Sequence, residues 1–308
     1  MLTTVLLWLL LLLAVWFIYY SHFVEPRRLR VSSVTVGIPR LPEALEGLRI
    51  AHLSDLHIKS PSQPLSLQVA RRAVELALAQ QPDLVCLTGD LGQASRFITL
   101  AADILRPLAV APVFAVMGNH DHDKMLDSEY VGPPEERVGV LQWREIAAEA
   151  GLQLLLNEHH PLPLRGQPVI ICGTGDSSCG YDDLPRALHD DPQGALHLLL
   201  SHSPDIMDEA QADWADLVLC GHTHGGQARL PWLGTLWAPV WRDRRRSEGL
   251  FRVGDALCYV TRGVHAGIRT RFLCPPELTV LTLTAGPGDR VRELPRLSLP
   301  RAQSTNNQ

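Results

Sequence analysis

No two of the six cysteines stand as a Cys-x-x-Cys pair, which argues against a thiolate zinc site. Cys86, Cys172, Cys220 and Cys258 instead sit in or beside apolar runs such as Leu84-Val85-Cys86-Leu87. Small buried thiols are placed this way, and a chain of 308 residues needs no disulfide staples, so the cysteines point to a reducing compartment. Charge of one sign is also scarce. The formal net charge is −5, no broad basic surface is implied, and no nucleic-acid partner is expected. There is no internal repeat. With 20% charged and 46% hydrophobic residues the chain has the composition of a globular protein, long enough to bury a core in one large domain.

Charge is absent altogether from Leu2 to Tyr20, a stretch rich in Leu, Val and Trp. At 1.5 Å per residue this segment spans about 28 Å as a helix, close to the hydrocarbon thickness of a bilayer. Trp16, Tyr19 and Tyr20 gather at its C-terminal end, where amphipathic rings favour the headgroup level. A cleaved signal peptide needs a basic lead and a small-x-small cleavage site, and neither is present around Tyr19 to Val24. Residues 1–22 are therefore read as a retained transmembrane anchor. Arg27, Arg28 and Arg30 follow the span and no Lys or Arg precedes it. The positive-inside rule then predicts a single-pass protein of the cytoplasmic (inner) membrane with its main domain in the cytoplasm.

Residues 23–47 read as a linker with a lead-in strand at Val31–Val36, punctuated by Pro39, Pro42 and Gly47. Strands are predicted at 48–53, 83–88 and 112–116, separated by helices at 65–80 and 95–106, a β-α-β-α-β alternation. Further apolar runs at 168–172, 195–200, 215–220, 256–261 and 278–284 are separated more by turns than by helices. The second half is thus expected to form a more antiparallel sheet. The predicted fold class is α/β: a two-sheet β-sandwich flanked by helices, in four layers α/β/β/α, preceded by one transmembrane helix. The globular domain is predicted over 48–287, and the polar, Pro-rich 288–308 as a disordered tail.

Chemistry-bearing residues follow the predicted strands. Asp55-Leu56-His57 follows the first, Gly89-Asp90 the second and Gly118-Asn119-His120-Asp121 the third; Ser201-His202-Ser203 and Gly221-His222-Thr223-His224-Gly225-Gly226 follow later ones. Ligands bind at the C-terminal strand edges of open α/β sheets. In Asp-x-His and His-x-His, side chains two apart on an extended segment point the same way and can reach one metal or two adjacent ones. A lone Gly-Asp is usually a turn and a lone His usually a satisfied core residue. Five such elements at successive strand ends are not a chance set, and a mixed carboxylate, amide and imidazole shell suits Mn, Fe, Zn or Co.

Together these segments resemble the signature of the calcineurin-like metallophosphoesterases. Leu53-Ser54-Asp55-Leu56-His57, Leu87-Thr88-Gly89-Asp90-Leu91, Gly221–Gln227, Thr261–Val264 and Arg271–Leu278 resemble its membrane-anchored bacterial phosphohydrolase branch. The resemblance covers roughly 48–285. It implies two divalent metal ions bridged by Asp90, the first completed by Asp55, His57 and His224, the second by Asn119, His202 and His222. His120 would face the leaving group or a phosphate oxygen; the working hypothesis is that it donates a proton to the departing oxygen or hydrogen-bonds the transition state, with Asp55 or Asp121 orienting it. The implied reaction is attack of a metal-bridging hydroxide on a phosphodiester or pyrophosphate bond, with a diester favoured over a monoester.

The substrate is read from a local feature. Trp232, Trp237 and Trp241 lie among Leu and Pro residues, and Arg242, Arg244, Arg245 and Arg246 follow. This is either a loop covering the core or an interfacial rim, with Trp at the headgroup level and Arg near lipid phosphates or a substrate diphosphate. The rim assigns Trp241, Arg242 and Arg244 to substrate binding. With the anchor, it points to the bilayer as partner and to a phospholipid or nucleotide-linked glycolipid; the resemblance makes UDP-2,3-diacylglucosamine a candidate, since its hydrolases belong to the same superfamily. The rivals are a tethered phosphatase or phosphodiesterase acting on soluble nucleotides or phosphoproteins, and a non-catalytic membrane scaffold. His159, His160, Asp176, Asp182 and Asp183 fall in predicted loops and are assigned no role.

Overall fold

In the computed structural model, residues 1–62, 64–92, 97–122, 138–188, 194–235, 238–239, 243–267 and 269–296 are described. One sheet contains β1 (Arg30–Gly37), β2 (Arg49–Leu53), β3 (Leu84–Thr88), β4 (Val113–Val116), β5 (Gln153–Leu154) and β14 (Glu277–Thr284), in the order β1-β14-β2-β3-β4-β5. The other contains β6 (Glu158–Leu164), β7 (Gln167–Gly173), β8 (Leu196–Leu200), β9 (Leu217–Cys220), β12 (Gly249–Val253), β13 (Ala256–Val260) and β15 (Arg292–Glu293), in the order β15-β12-β13-β9-β8-β7-β6. A separate hairpin joins β10 (Arg229–Leu230) to β11 (Gly234–Thr235).

Alternation along the central strands builds the layers, because successive side chains point to opposite faces. Ile50 on β2 and Leu84 and Cys86 on β3 face inward, where they meet Leu196, Leu198, Leu200, Leu217 and Leu219 from β8 and β9. Ala51, Leu53, Val85 and Leu87 point the other way, into a core shared with α2 (Pro64–Ala79), α3 (Ile98–Leu105) and α4 (Val138–Glu149). On the far side Leu199, Val218, Cys220, Cys258 and Val260 pack under α5 (Leu184–Ala187) and the 3-10 turns at Pro204–Asp208 and Ala210–Trp214. Each fully buried leucine contributes about 1.5–3 kcal/mol through removal from water. Helix α2 follows from its pattern: Leu65, Val69, Ala73 and Ala77 recur every fourth residue and are buried. All six cysteines are free, five of them buried.

The second sheet departs from the antiparallel expectation. β7, β8, β9 and β13 run parallel to one another, and only the β6–β7 and β12–β13 pairs are antiparallel. The reason lies in the connections. The segments after β7 and β8 contain α5 and the two 3-10 turns, which carry the chain back across the outer face as crossovers rather than hairpins. β1 pairs along its whole length with β14, so the lead-in strand is an edge of the first sheet, and residues 292–293 pair with β12.

Before β1, helix α1 (Leu2–Tyr19) passes through a π turn at Tyr20–Val24 and a 3-10 turn at Glu25–Arg27. Leu2–Arg27 is long and apolar enough to cross a membrane, and α1 buries none of its residues. Its base is docked. The Glu25 carboxylate, 2% exposed, accepts the N–H groups of Leu273 (2.9 Å) and Cys274 (2.6 Å). Arg271 N–H donates to the Ser21 carbonyl (3.0 Å), and Phe17 packs on Phe272 with ring centroids 4.8 Å apart.

Candidate metal centre

The loops after β2, β3, β4, β8 and β9 meet at one end of the sandwich. Backbone bonds lock the first two together: Asp55 N–H to Gly89 O (2.9 Å), His57 N–H to Asp90 O (2.9 Å) and Ile58 N–H to Leu91 O (3.1 Å). The side chains then form two adjoining groups. In the first, His57 Nε2 lies 3.9 Å from Asp55 Oδ1 and 3.3 Å from His224 Nε2, and His224 Nε2 lies 3.8 Å from Asp55 Oδ1. In the second, His202 Nε2 lies 3.3 Å from Asp90 Oδ2 and 3.1 Å from His222 Nδ1. Asp90 Oδ2 is also 3.5 Å from His57 Nε2, so this carboxylate stands between the groups.

Convergence does not arise from extended Asp-x-His and His-x-His segments. Asp55 (φ 58°), His57 (φ 47°), Asp90 (φ 53°), His222 (φ 68°) and His224 (φ 51°) all adopt the left-handed conformation. Such backbone is disfavoured for residues with a Cβ and persists only where the surroundings over-determine it, as at functional sites. Two glycines allow the loops to approach. A Cβ on Gly221 would collide with Ser54 Oγ and the Asp55 carboxylate, and one on Gly118 with Asp90.

The donor set fits divalent cations. Asp55 Oδ1 and Asn119 Oδ1 are buried without a hydrogen-bond partner, and ring nitrogens face one another at 3.3 Å between His57 and His224 and at 3.1 Å between His202 and His222. An ion among these atoms would remove the penalty of unpaired buried donors and acceptors. Burial pushes His57 down to about 3 and His222 to about 4, and holds His224 well below its ordinary value, which leaves uncharged rings with lone pairs to give. Burial likewise raises Asp55 to about 7. For Asp90 and His202, burial opposes charge on both, but their mutual attraction outweighs it: the carboxyl is held well below its usual range and the imidazole well above. His202 Nδ1 lies 2.7 Å from the Thr88 carbonyl; donating its N–H there turns Nε2 to the site.

His120 is accessible at the mouth, its ring centroid 5.1 Å from that of His57, and its backbone N–H donates to Asp90 Oδ1 (2.8 Å). Asp121 does not orient it. Its two oxygens accept Gly92 N–H and Gly118 N–H (2.9 Å each), so Asp121 braces the loops.

The profile of the family described as "Calcineurin-like phosphoesterase" matches residues 48–226. The chain belongs to that family. "Phosphodiesterase YaeI" of Escherichia coli (strain K12) is 34% identical over 267 residues, covering 86% of this chain and 92% of the relative. "UDP-2,3-diacylglucosamine pyrophosphatase LpxG" of Chlamydia trachomatis is 26% identical over 306 residues, 85% of this chain and 91% of the relative. A "Transmembrane protein with metallophosphoesterase domain" of Danio rerio is 30% identical over 271 residues, 82% of this chain and 57% of the relative. The phosphoesterase is accordingly a metal-dependent phosphoric ester hydrolase with a candidate N-terminal membrane span.

Other expected residues of the phosphoesterase fall elsewhere. Trp241, Arg242 and Trp237 lie outside the described residues. Arg244 is exposed on the 3-10 turn Arg244–Ser247, whose Ser247 carbonyl accepts the Thr223 hydroxyl (2.6 Å). Arg246 is no rim residue: it is fully buried and paired with Asp208 at 2.9 Å. Arg245 is paired with Asp243 at 2.7 Å. His159 and His160 lie on β6, and Asp183 caps α5.

Sequence reasoning assigned no role to three contributors. Asp176 is buried and acts electrostatically on both His202 and His222. His265 is buried and donates its backbone N–H to the Asp55 carbonyl (2.8 Å). The buried Arg271 guanidinium donates to the carbonyls of Arg262 (2.9 Å), Gly263 (3.3 Å) and His265 (2.5 Å), fixing the loop beneath Asp55. The Thr261–Val264 and Arg271–Leu278 segments were the available signal for this brace.

Proposed function

We propose that this protein is a membrane-anchored, dinuclear-metal phosphodiesterase or pyrophosphatase of the cytoplasmic (inner) membrane, its catalytic domain on the cytoplasmic side. The observation that carries the reading is Asp90, whose Oδ2 stands 3.5 Å from His57 Nε2 and 3.3 Å from His202 Nε2, between two sets of donors. Asp55, His57 and His224 would hold one ion with Asp90, and Asn119, His202 and His222 the other. Bound divalent ions there would supply Lewis-acid charge for phosphoryl oxygens and a lowered pKa for water. The protein's own part is to pre-organise these donors, and His120 at the mouth protonates the departing oxygen. The similarity to a relative named for UDP-2,3-diacylglucosamine supports a lipid-borne or nucleotide-linked glycolipid substrate, as does the helix Leu2–Arg27.

The test uses the full chain in detergent with bis-p-nitrophenyl phosphate and p-nitrophenyl phosphate, with EDTA or Mn²⁺, beside Asp90→Asn and His222→Ala. Diester hydrolysis that needs metal and is lost in both variants is expected. Undiminished turnover by Asp90→Asn, or none by folded, metal-loaded protein, would overturn the dinuclear reading. A clear preference for the monoester would overturn the diesterase assignment.

A further inference from the structure

Exposed apolar side chains on this molecule are concentrated in one place. Beyond Met1 and α1, those of large size among the described residues fall at Phe23, Leu230, Trp232, Leu233 and Leu273, with only Val110 and Leu141 elsewhere. Trp232 is 102% exposed and Leu233 73%, at the tip of the β10–β11 hairpin. Trp232 is also held at φ 65°, a left-handed conformation rare for a bulky residue. A fully solvated indole on strained backbone contributes nothing to the core. Its cost is understandable if something apolar covers it.

The hairpin is joined to the base of the anchor. Arg229 N–H donates to the Phe272 carbonyl (2.9 Å), and Phe272 N–H to the Gln227 carbonyl (2.8 Å). Phe272 packs on Phe17 and Tyr20, and the next two residues are the ones Glu25 holds. Gln227 to Thr235 contains no acidic residue, and Arg27 and Arg28 are exposed at the anchor base. Apolar tip, aromatic ring and neighbouring arginines suit a headgroup layer.

We propose that the β10–β11 hairpin is a second membrane contact, its Trp232–Leu233 tip seated in the interfacial layer of the bilayer that α1 crosses. This rests on the reading of Leu2–Arg27 as a membrane span. The contact is coupled to the metal centre. The Gly225 carbonyl accepts the Thr235 hydroxyl (3.1 Å) and the Arg229 guanidinium (3.3 Å), and the His224 carbonyl accepts the Cys274 thiol (3.3 Å). Seating the hairpin therefore fixes the His222–Gly226 loop relative to the lipid surface and turns the site toward substrates borne in that surface.

Spin-label accessibility in the full chain, reconstituted in vesicles of phosphatidylethanolamine and phosphatidylglycerol, tests this. Nitroxides would be attached through Trp232→Cys and Leu233→Cys, with Leu10→Cys as the in-membrane reference, Leu141→Cys as the comparison on α4 and the unsubstituted chain as background. At both hairpin positions collisions with oxygen should exceed those with an aqueous nickel chelate, as at Leu10→Cys. Hairpin labels that report water like Leu141→Cys, while Leu10→Cys reports lipid, overturn the second contact and leave the anchor standing. If Leu10→Cys itself reports water, the anchor reading fails and the hairpin contact fails with it.

Discussion

Glu25 is the point at which the apolar N-terminal helix and the phosphoesterase domain can be separated by one substitution. Its carboxylate is the acceptor for both the Leu273 and Cys274 N–H groups, and Cys274 is fully buried. Hydrogen bonds to a charged group are worth about 1.5–3 kcal/mol each, so Glu25→Ala should weaken the docking of residues 20–27 by about 3–6 kcal/mol. The Arg271 guanidinium still holds the loop from the other side through four carbonyls, so the loss should appear as local opening and not as global unfolding. At about 1.4 kcal/mol per tenfold, the Leu273 and Cys274 amides should exchange with solvent about a hundred- to ten-thousandfold faster. Hydrogen exchange followed by mass spectrometry on peptides spanning 270–276, with β3 as internal reference, measures this. Because the Cys274 thiol donates to the His224 carbonyl, turnover should fall in parallel. Unchanged exchange at 273 and 274 would refute the clamp. Equal acceleration in β3 would show that Glu25 supports the whole fold instead.

Gly221→Ala places a methyl against Ser54 and Asp55, and overpacking of this kind costs about 1–3 kcal/mol; a lowered denaturation midpoint and lost metal content are expected. Chelation should lower the melting temperature, since a ligand present at a thousand times its Kd stabilises the folded state by about 4 kcal/mol; calorimetry with and without EDTA measures the shift. Glu277 sets an acid limit. Although burial raises its pKa, the Arg262 guanidinium at 2.9 Å lowers it further, to a net value below the ordinary glutamate range. A depressed carboxyl contributes stability above its unfolded value of about 4.3 that is lost as pH falls through the lower folded value. Glu277→Gln should therefore flatten the decline in denaturant stability below about pH 4.3, and an unchanged slope there would count against this ion pair.

The strands and the side chains that gather at their ends were readable for one shared reason: each Asp or His follows closely on an apolar run. Leu53 precedes Asp55 by two residues, Thr88 precedes Asp90 by two, and Cys220 precedes His222 by two. Short runs escaped. β5 has two residues, and β6 carries prolines and histidines in place of an apolar pattern. The parallel course of β7, β8 and β9 was hidden because α5 has four residues and the 3-10 turns five each, too short to leave a helical period. Arg246 illustrates the same limit. A run of arginines reads as solvated, and only the position of Asp208, 38 residues upstream, makes one of them an interior partner.

The sequence by itself determined the layered α/β class, the apolar N-terminal helix and the identity of the donors, because hydrophobic periodicity, span length and residue chemistry are local properties. Only the tertiary structure decided which donors share a group, that five of them sit on left-handed backbone, and that Asp90 stands between the two groups. It also decided that Glu25, Phe272 and the Trp232 hairpin form one surface beside His224. Those facts depend on contacts between residues as far apart as 249 positions in the chain. Such contacts form only when loops from separate strands are brought to one edge of the sandwich, and no local pattern encodes that meeting.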